Sequence, residues 1–462
     1  MRITAAALFV VLTGLCPALA ARSPQNAPEL RDADASRRVD EYLQGEMEKQ
    51  HIPGLAIGVY RNGEIVKVQG YGLASVKKTL PVTAETFFHS GSVGKQFTAT
   101  AILMLVEEGK VGLEDSIAKY FPDVPEKWKA IKVRNLLSHT SGLQDYLDHT
   151  NLHKDYTPTQ LLKAMKSFPM DFAPGDGWNY SNTNYALLGF IIENVTGTFY
   201  GDFLQERIFR PLGMNSGQVV SKSDGLPNRS EGYHSEKGKI EDQGWATPIF
   251  NTTADGSLYF NVVDLAKWDA ALYTEKLLKA SSLNQMWTIA KLNNGSLNRG
   301  SYGFGWGIRT VMDHSLIEHS GGWLGFKAHI ARYVDDKLTV VLLANSDSTK
   351  PAQIAHVVAG IYEPVLAFNP IPDIEPNITT LARNAIQKLS SGKTPDGMDK
   401  DEVKPFQKYL RNSGPLSSLE LVRREVNEMR HYTYRLRFTD ATVFFQIDLA
   451  TDYKIKGMHL WE

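Results

Sequence analysis

The chain has 462 residues, of which 42% are hydrophobic and 22% are charged, as in a globular protein with a large core. This length predicts roughly two or three domains. The 50 Lys and Arg residues balance 51 Asp and Glu residues to a formal net charge of −1, and no basic run stands out. We therefore expect no nucleic acid partner, because the chain has no excess positive charge to attract one.

The first 20 residues have the pattern of a secretion signal. Arg2 precedes an apolar run at residues 5–15, and Ala18-Leu19-Ala20 is an A-x-A cleavage signal. The only cysteine, Cys16, lies in this segment, so the rest of the chain has neither a disulfide nor a thiol nucleophile. No later stretch is apolar for long enough to predict a transmembrane helix. We expect residues 1–20 to be a signal peptide and the protein to be exported, to the bacterial periplasm or the medium.

The remaining elements alternate between strands and helices in a particular order. Residues 21–36 are polar and predict a flexible lead-in, and the first helix is predicted at residues 37–50. Strands at 54–60 and 64–71 are joined by Asn62-Gly63, which favours a tight hairpin. Helical patterns then dominate as far as about residue 242, beginning with a long helix at 96–108. Later strands are predicted at residues 302–309, 315–319, 325–333 and 337–343, followed by a helix at 351–366.

This order predicts an α/β fold of the α+β kind. One antiparallel sheet would be built from both ends of residues 37–368, with helices packed on it and a mostly helical lobe beside it. Pro370 and Pro372 mark a linker, after which two helices and alternating strands follow. Residues 369–462 are therefore predicted to form a small α+β accessory domain.

Ser92 and Lys95 form the first candidate for chemistry. Ser92 lies at the start of the helix predicted at 96–108, where unpaired N–H groups and the positive end of the helix dipole face an oxyanion. Lys95 lies one turn further along the same face, and an amine beside a hydroxyl can make it nucleophilic. The spacing alone is not specific, because it recurs at Ser75/Lys78, Ser116/Lys119 and Ser390/Lys393.

Two further motifs follow in the chain. Tyr180-Ser181-Asn182 is a Y-x-N triplet, and His319-Ser320-Gly321 is an H-x-G triplet on a predicted strand. In this order, S-x-x-K, Y-x-N and H-x-G resemble the serine β-lactamase and penicillin-recognising D-Ala-D-Ala peptidase superfamily, in its class C-like branch. The resemblance extends over about Val39 to Leu366. No G-x-S-x-G occurs, which excludes the nucleophile elbow of α/β-hydrolases.

The resemblance implies a role for each matching residue. Ser92 would attack a carbonyl and become an acyl-ester. Lys95 or Tyr180 would be the general base, and which of them acts is left open. Asn182 would position Lys95 and bind a substrate amide, and the backbone N–H groups of Ser92 and Gly322 would form the oxyanion hole. The substrate- and oxyanion-binding residues implied are Asn182, His319, Gly321 and Gly322.

His319 stands where β-lactamases usually carry lysine. A histidine carries a positive charge only below its pKa, about 6.5 when unperturbed. Because H-x-G is found in the peptidases and esterases of the superfamily, the resemblance implies a D-amino-acid peptidase, a carboxypeptidase or an esterase. Its substrate would be a small molecule or a peptidoglycan-like peptide. A class C-like β-lactamase and a slowly acylating penicillin-binding scaffold without turnover are the alternatives.

Asp255 stands where relatives usually have a small residue, and it would either favour cationic substrates or be an ordinary loop residue. His149 and His153 have the spacing of metal ligands on a helix, but no third ligand is evident. We therefore expect no metal site and no cofactor.

Overall fold

The computed structural model describes residues 26–220, 226, 228–236, 238–426, 429–438 and 442–461, so the predicted signal segment lies outside it. Within these ranges, no helix is both long enough and apolar enough to span a membrane. The α-helices are α1 Asn26–Gln50, α2 Lys95–Glu107, α3 Val133–Leu137, α4 Pro158–Ser167, α5 Asn182–Thr196, α6 Tyr200–Leu204, α7 Arg210–Leu212, α8 Val262–Ala271, α9 Ala280–Met286, α10 Pro351–Tyr362, α11 Pro376–Ser390 and α12 Lys400–Asn412. The strands are β1 Gly54–Arg61, β2 Glu64–Ser75, β3 Leu80–Pro81, β4 Phe88–His89, β5 Tyr233–Glu236, β6 Lys239–Asp242, β7 Tyr259–Phe260, β8 Gly307–Val311, β9 His314–Trp323, β10 Phe326–Tyr333, β11 Leu338–Ala344, β12 Leu416–Val426, β13 Arg430–Phe438, β14 Thr442–Leu449 and β15 Ile455–Trp461.

A seven-stranded antiparallel sheet in the order β3-β2-β1-β11-β10-β9-β8 organises the larger part of the chain. The central pair, β1 and β11, joins the two ends of this region, with Leu55 opposite Ala344. Helices cover both faces of the sheet, and β1 and β11 are therefore almost wholly buried and apolar. The predicted α/β (α+β) architecture, one antiparallel sheet built from both chain ends with flanking helices, is confirmed.

The two faces of the sheet carry different layers. On one face, α1 and α10 pack through buried side chains such as Val39, Leu43 and Ile354. On the other face, α2, α8 and the helical lobe form the larger core. There the ring of Phe97 on α2 lies 4.1 Å from that of Trp268 on α8. This second layer places the N-terminal end of α2 against β9, which bears the H-x-G triplet.

Helix α1 begins at Asn26, so the prediction of a flexible lead-in over residues 21–36 is wrong for residues 26–36. Arg31 donates to the carbonyl of Tyr362 at 2.7 Å and pairs with Glu363 at 2.8 Å, and Ala35 is buried. Among residues 31–36 only Ala35 is buried, so a polar composition is compatible with a helix there. Its proline, Pro28, falls in the first helical turn, where the missing N–H has no intrahelical partner to lose.

The strand predicted over residues 302–309 is correct only at its end, because β8 begins at Gly307. Gly305 has a φ of +78°, a left-handed conformation that interrupts an extended strand. The amide of Asn298 holds the carbonyl of Tyr302 in a turn at 2.8 Å. Tyr302 is thereby fixed beside the sheet, and this position matters for the site.

The last part of the chain builds its own sheet, in the order β12-β13-β14-β15, with α11 and α12 packed on it. Strand β12 lacks a clear alternating pattern and was not among the predicted elements. Contacts to the preceding region include the ion pair between Arg423 and Asp313 at 2.5 Å. The rings of Phe368 and Phe444 also lie 4.1 Å apart.

Candidate active site

Ser92 lies in a short 3-10 helix, Gly91–Gly94, that runs directly into α2. This segment touches the strand bearing the third motif. A Cβ on Gly321 would lie 2.0 Å from the carbonyl oxygen of Ser90, and a Cβ on Gly91 would lie 2.4 Å from the nitrogen of Gly322. Gly91 also has a φ of +49°. Glycine at these two positions therefore lets the backbones of Ser92 and Gly322 meet.

Lys95 is fully buried and has three oxygen partners. Its Nζ lies 2.9 Å from Ser92 Oγ, 2.7 Å from Asn182 Oδ1 and 2.5 Å from the carbonyl oxygen of Asp255. The last two oxygens can only accept hydrogen bonds, whereas a hydroxyl can donate or accept. An ammonium would donate to all three, and a neutral amine would donate to two and accept from Ser92. The same three contacts therefore suit Lys95 before and after it takes a proton from Ser92.

Asn182 is oriented by Asp145, a residue that the sequence analysis did not single out. The carboxylate of Asp145 accepts from the Asn182 side-chain amide at 2.7 Å and from its backbone N–H at 3.1 Å. This fixes the amide so that its oxygen faces Lys95. Burial raises the pKa of Asp145. No local pattern could have revealed it, because it is 37 positions from its partner.

Tyr180 precedes α5 and lies beside the lysine, with Lys95 Nζ 5.0 Å from the centre of its ring. Its ring packs at 4.2 Å on that of His139. His139 accepts from the backbone N–H of Ser181 at 3.2 Å, and burial followed by the charge of Lys95 holds its pKa well below the usual range. The hydroxyl of Tyr180 is shielded from solvent and has no hydrogen-bond partner within the described ranges. It is therefore available to a substrate or to Ser92.

His319 has protein partners for both ring nitrogens. Nδ1 lies 2.6 Å from the carbonyl oxygen of Ser320, which can only accept, so Nδ1 carries the proton. Nε2 then accepts from the hydroxyl of Tyr302 at 2.8 Å. Burial, followed by the nearby charge of Lys95, lowers the pKa of His319 to about 3. His319 is therefore neutral at physiological pH and does not supply the positive charge of a lysine at this position.

A cavity of about 560 Å³ reaches Ser92, Tyr180 and His319. Three basic residues also line it, namely Arg309, Lys327 and Lys350. Lys327, opposite Gly322 on the neighbouring strand, places Nζ 3.3 Å from where a Cβ of Gly322 would be. Arg309 is paired with Glu318, which also lines the cavity, so positive charge there comes from Lys327 and Lys350 rather than from the H-x-G motif.

Asp255 contributes its backbone, not its carboxylate, to the contact with Lys95. Its side chain is buried and accepts from the hydroxyl of Tyr146 at 3.0 Å. The residues that the sequence predicted for the site, Ser92, Lys95, Tyr180, Asn182, His319, Gly321 and Gly322, thus lie together. Asp145 and Tyr302 are the neighbours that it missed.

Replacing His319 by glutamine should change how stability depends on pH. The folded protein keeps His319 neutral down to a pH of about 3, whereas the unfolded chain protonates it below about 6.5. The unfolded state therefore binds more protons in this window, and stability is lost as the pH falls from about 6.5 towards about 3. In His319→Gln, the slope of the unfolding free energy against pH should decrease by up to about 1.4 kcal/mol per pH unit. Urea unfolding at a series of pH values measures this slope. The control is His153→Gln, because His153 is exposed. Equal slopes in wild type and His319→Gln would contradict the prediction.

Sequence comparison places the chain among known proteins. A profile of the family described as Beta-lactamase matches residues 39–360. The chain is 30% identical over 318 residues to penicillin-binding protein 4* of Bacillus subtilis, covering 65% of this chain and 69% of that protein. It is 31% identical over 264 residues to the putative penicillin-binding protein PbpX of the same organism, covering 56% and 64%. The chain thus spans about two thirds of the length of these relatives.

Solved structures have the same fold. D-amino acid amidase from Ochrobactrum anthropi SV3 superposes with a TM-score of 0.63 at 26% identity, over 72% of this chain and 98% of that one. The octameric penicillin-binding protein homologue from Pyrococcus abyssi gives a TM-score of 0.62 at 22% identity, over 92% and 100%, which shows the fold alone. The family match spans the large sheet and all three motifs. The chain therefore belongs to the serine β-lactamase and penicillin-binding protein superfamily, and it is a serine hydrolase.

Proposed function

We propose that the protein hydrolyses an amide or ester bond of a D-amino-acid derivative through an acyl-enzyme on Ser92, and that β-lactams are not its substrates. The observation that carries the acyl-enzyme mechanism is the buried Lys95 amine, 2.9 Å from Ser92 Oγ, and the neutral His319 is the reason to disfavour β-lactams. A serine hydroxyl becomes a nucleophile when an adjacent base takes its proton. Two acceptor oxygens, from Asn182 and Asp255, support the lysine in that role.

The reaction would run in two steps. Ser92 Oγ attacks the substrate carbonyl while its proton passes to Lys95, directly or through Tyr180. The N–H groups of Ser92 and Gly322 stabilise the oxyanion. The leaving amine or alcohol takes the proton as its bond to carbon breaks, and water then hydrolyses the acyl-ester with help from the same base. Lys95 and Tyr180 both remain candidates for that base.

The charges around Ser92 favour a peptide-like substrate. Because His319 is neutral and bonded to Tyr302, the charge that lysine supplies in β-lactamases is absent from its usual position. Lys327 and Lys350 line the cavity instead, and they suit a substrate with a carboxylate, whereas Arg309 is paired with Glu318. Two structural neighbours at 26% identity are named as a D-amino acid amidase, from Ochrobactrum anthropi, and as a D-stereospecific amidohydrolase, from Streptomyces. A D-amino-acid peptide that ends in a free carboxylate satisfies these observations together.

The proposal also covers the cellular location of the protein and the boundary between its two domains. We propose export by the signal segment at residues 1–20, which suits a peptidoglycan-like peptide as substrate. We assign the hydrolase to residues 37–368 and an accessory domain to residues 369–462. The separate four-stranded sheet of the latter supports this division.

A substrate panel tests the proposed function. Hydrolysis is measured with D-alanine anilide, its L enantiomer, a D-Ala-D-Ala peptide, an aryl acetate and nitrocefin. We expect the D-alanine compounds to be turned over faster than nitrocefin, and Ser92→Ala to lower their rates at least about 10³-fold. Nitrocefin turnover as fast as that of the D-alanine compounds would favour the β-lactamase alternative. Stable acylation by penicillin without turnover of any compound would favour the scaffold alternative.

Gly321 and Gly322 provide a matched pair for the oxyanion hole. A Cβ on Gly321 would collide with the backbone of Ser90, whereas the atoms nearest to a Cβ on Gly322 belong to the flexible end of Lys327. We expect Gly321→Ala to lower kcat/KM by on the order of 10²–10³-fold, the effect of losing one oxyanion donor elsewhere. Gly322→Ala should retain a rate close to that of the wild type. Equal rates in the two variants would contradict this account of how the backbones of Ser92 and Gly322 meet.

A further inference from the structure

We propose that Glu318, His329 and His356 form a binding site for a divalent transition-metal ion, and that Zn²⁺ fits it best. The three side chains come from β9, β10 and α10 and are distinct from the group around Ser92 and Lys95. The proposal does not rest on the proposed function. It also departs from the expectation of no metal, which considered only His149 and His153.

The ligand atoms of these residues converge. Each residue contributes one ligand atom, a carboxylate oxygen or an imidazole nitrogen, and the three atoms lie within 4.8 Å of one another. Glu318 Oε2 lies 2.9 Å from His356 Nε2 and 3.3 Å from His329 Nε2. Zinc binds imidazole nitrogen and carboxylate oxygen at about 2.0–2.2 Å, so its tetrahedral ligand atoms lie about 3.3 Å apart. Two of the three separations are therefore already close to those of a zinc site.

His329 gives an independent reason to expect a cation. It is 1% exposed, and its Nδ1 lies 2.8 Å from Ser320 Oγ, a contact that fixes the orientation of the ring. Its Nε2 faces Glu318 but has no properly aligned hydrogen bond to any residue that the structure describes. A buried nitrogen that faces a carboxylate without a well-aligned hydrogen bond needs an explanation. A metal ion bound between the nitrogen and the carboxylate supplies one, with Ser320 as the supporting contact that metal-bound histidines usually have.

The charges nearby leave one carboxylate oxygen for the ion. Arg309 Nε donates to Glu318 Oε1 at 2.8 Å, which leaves Oε2 facing the two histidines. The Arg309 side chain is 51% exposed, so solvent screens its repulsion of a cation. Two imidazoles and one carboxylate suit Zn²⁺ and its neighbours in the transition series, whereas Ca²⁺ and Mg²⁺ prefer oxygen ligands.

Three protein ligands leave at least one coordination position open. The cavity that reaches Ser92 also reaches Glu318 and His329. A water molecule or an anionic group in that cavity can therefore complete the coordination. By joining α10 to β9 and β10, the ion would also stabilise the packing of this helix on the sheet.

Metal titration of the untagged, full-length protein tests the site. Co²⁺ reports tetrahedral coordination by its visible ligand-field absorption, and Zn²⁺ should displace it. We expect saturation at one Co²⁺ per chain and a Tm that rises with metal concentration, because an ion that binds only the folded state stabilises it. His356→Gln should weaken Co²⁺ binding by at least about tenfold, the smallest loss expected even of a supporting residue. Glu318→Gln, which keeps the shape of the side chain, is measured in parallel in case one variant does not fold.

The control is His234→Gln, which removes a histidine that also pairs with a carboxylate, that of Asp347 at 2.7 Å. It should bind Co²⁺ like the wild type. Absence of both the absorption and the Tm shift in wild type would overturn the proposal. Binding that is unchanged in folded His356→Gln and Glu318→Gln would place the ion elsewhere and would also overturn it.

Discussion

The Lys95 amine is buried at the start of α2, and a buried amine is stable only when its hydrogen bonds are satisfied. Its partners come from three segments: Ser92 on the same turn, Asn182 at the start of α5, and the carbonyl of Asp255 in the loop before β7. Because the three must converge on one atom, the relative positions of α2, α5 and that loop are constrained together. The arrangement of the helical lobe against the sheet therefore determines the surroundings of Ser92.

A second set of contacts holds the groups around this centre. Asp145 turns the amide of Asn182 towards the lysine, and His139 packs beneath the ring of Tyr180. Tyr302 donates a hydrogen bond to Nε2 of His319, and burial keeps that histidine uncharged. The side chains in this second set are thus either uncharged or hydrogen-bonded to other protein groups. Lys327 and Lys350 line the same cavity, and Lys327 lies beside Gly322, so a negatively charged group of a substrate can be held close to the scissile bond.

Features encoded by neighbouring residues could be predicted from the sequence. The S-x-x-K, Y-x-N and H-x-G triplets are local, and their order predicted both the superfamily and the residues that the structure brings together. Asp145 and Tyr302 could not be predicted, because their partners lie 37 and 17 positions away and no spacing marks them. The neutral state of His319 depends on burial between elements. The start of α1 was missed because a solvent-facing helix and a flexible segment have the same polar composition.

The most direct test of the account is intact-mass spectrometry after incubation with a fluorophosphonate, comparing wild type, Ser92→Ala and Lys95→Ala. We predict one covalent adduct on the wild type, located at Ser92 by peptide mapping, and none on Ser92→Ala. Lys95→Ala should label far more slowly, because the hydroxyl has lost the amine beside it. Labelling of Ser92→Ala at the wild-type rate, or an adduct mapped to another residue, would contradict the assignment of Ser92 as the nucleophile.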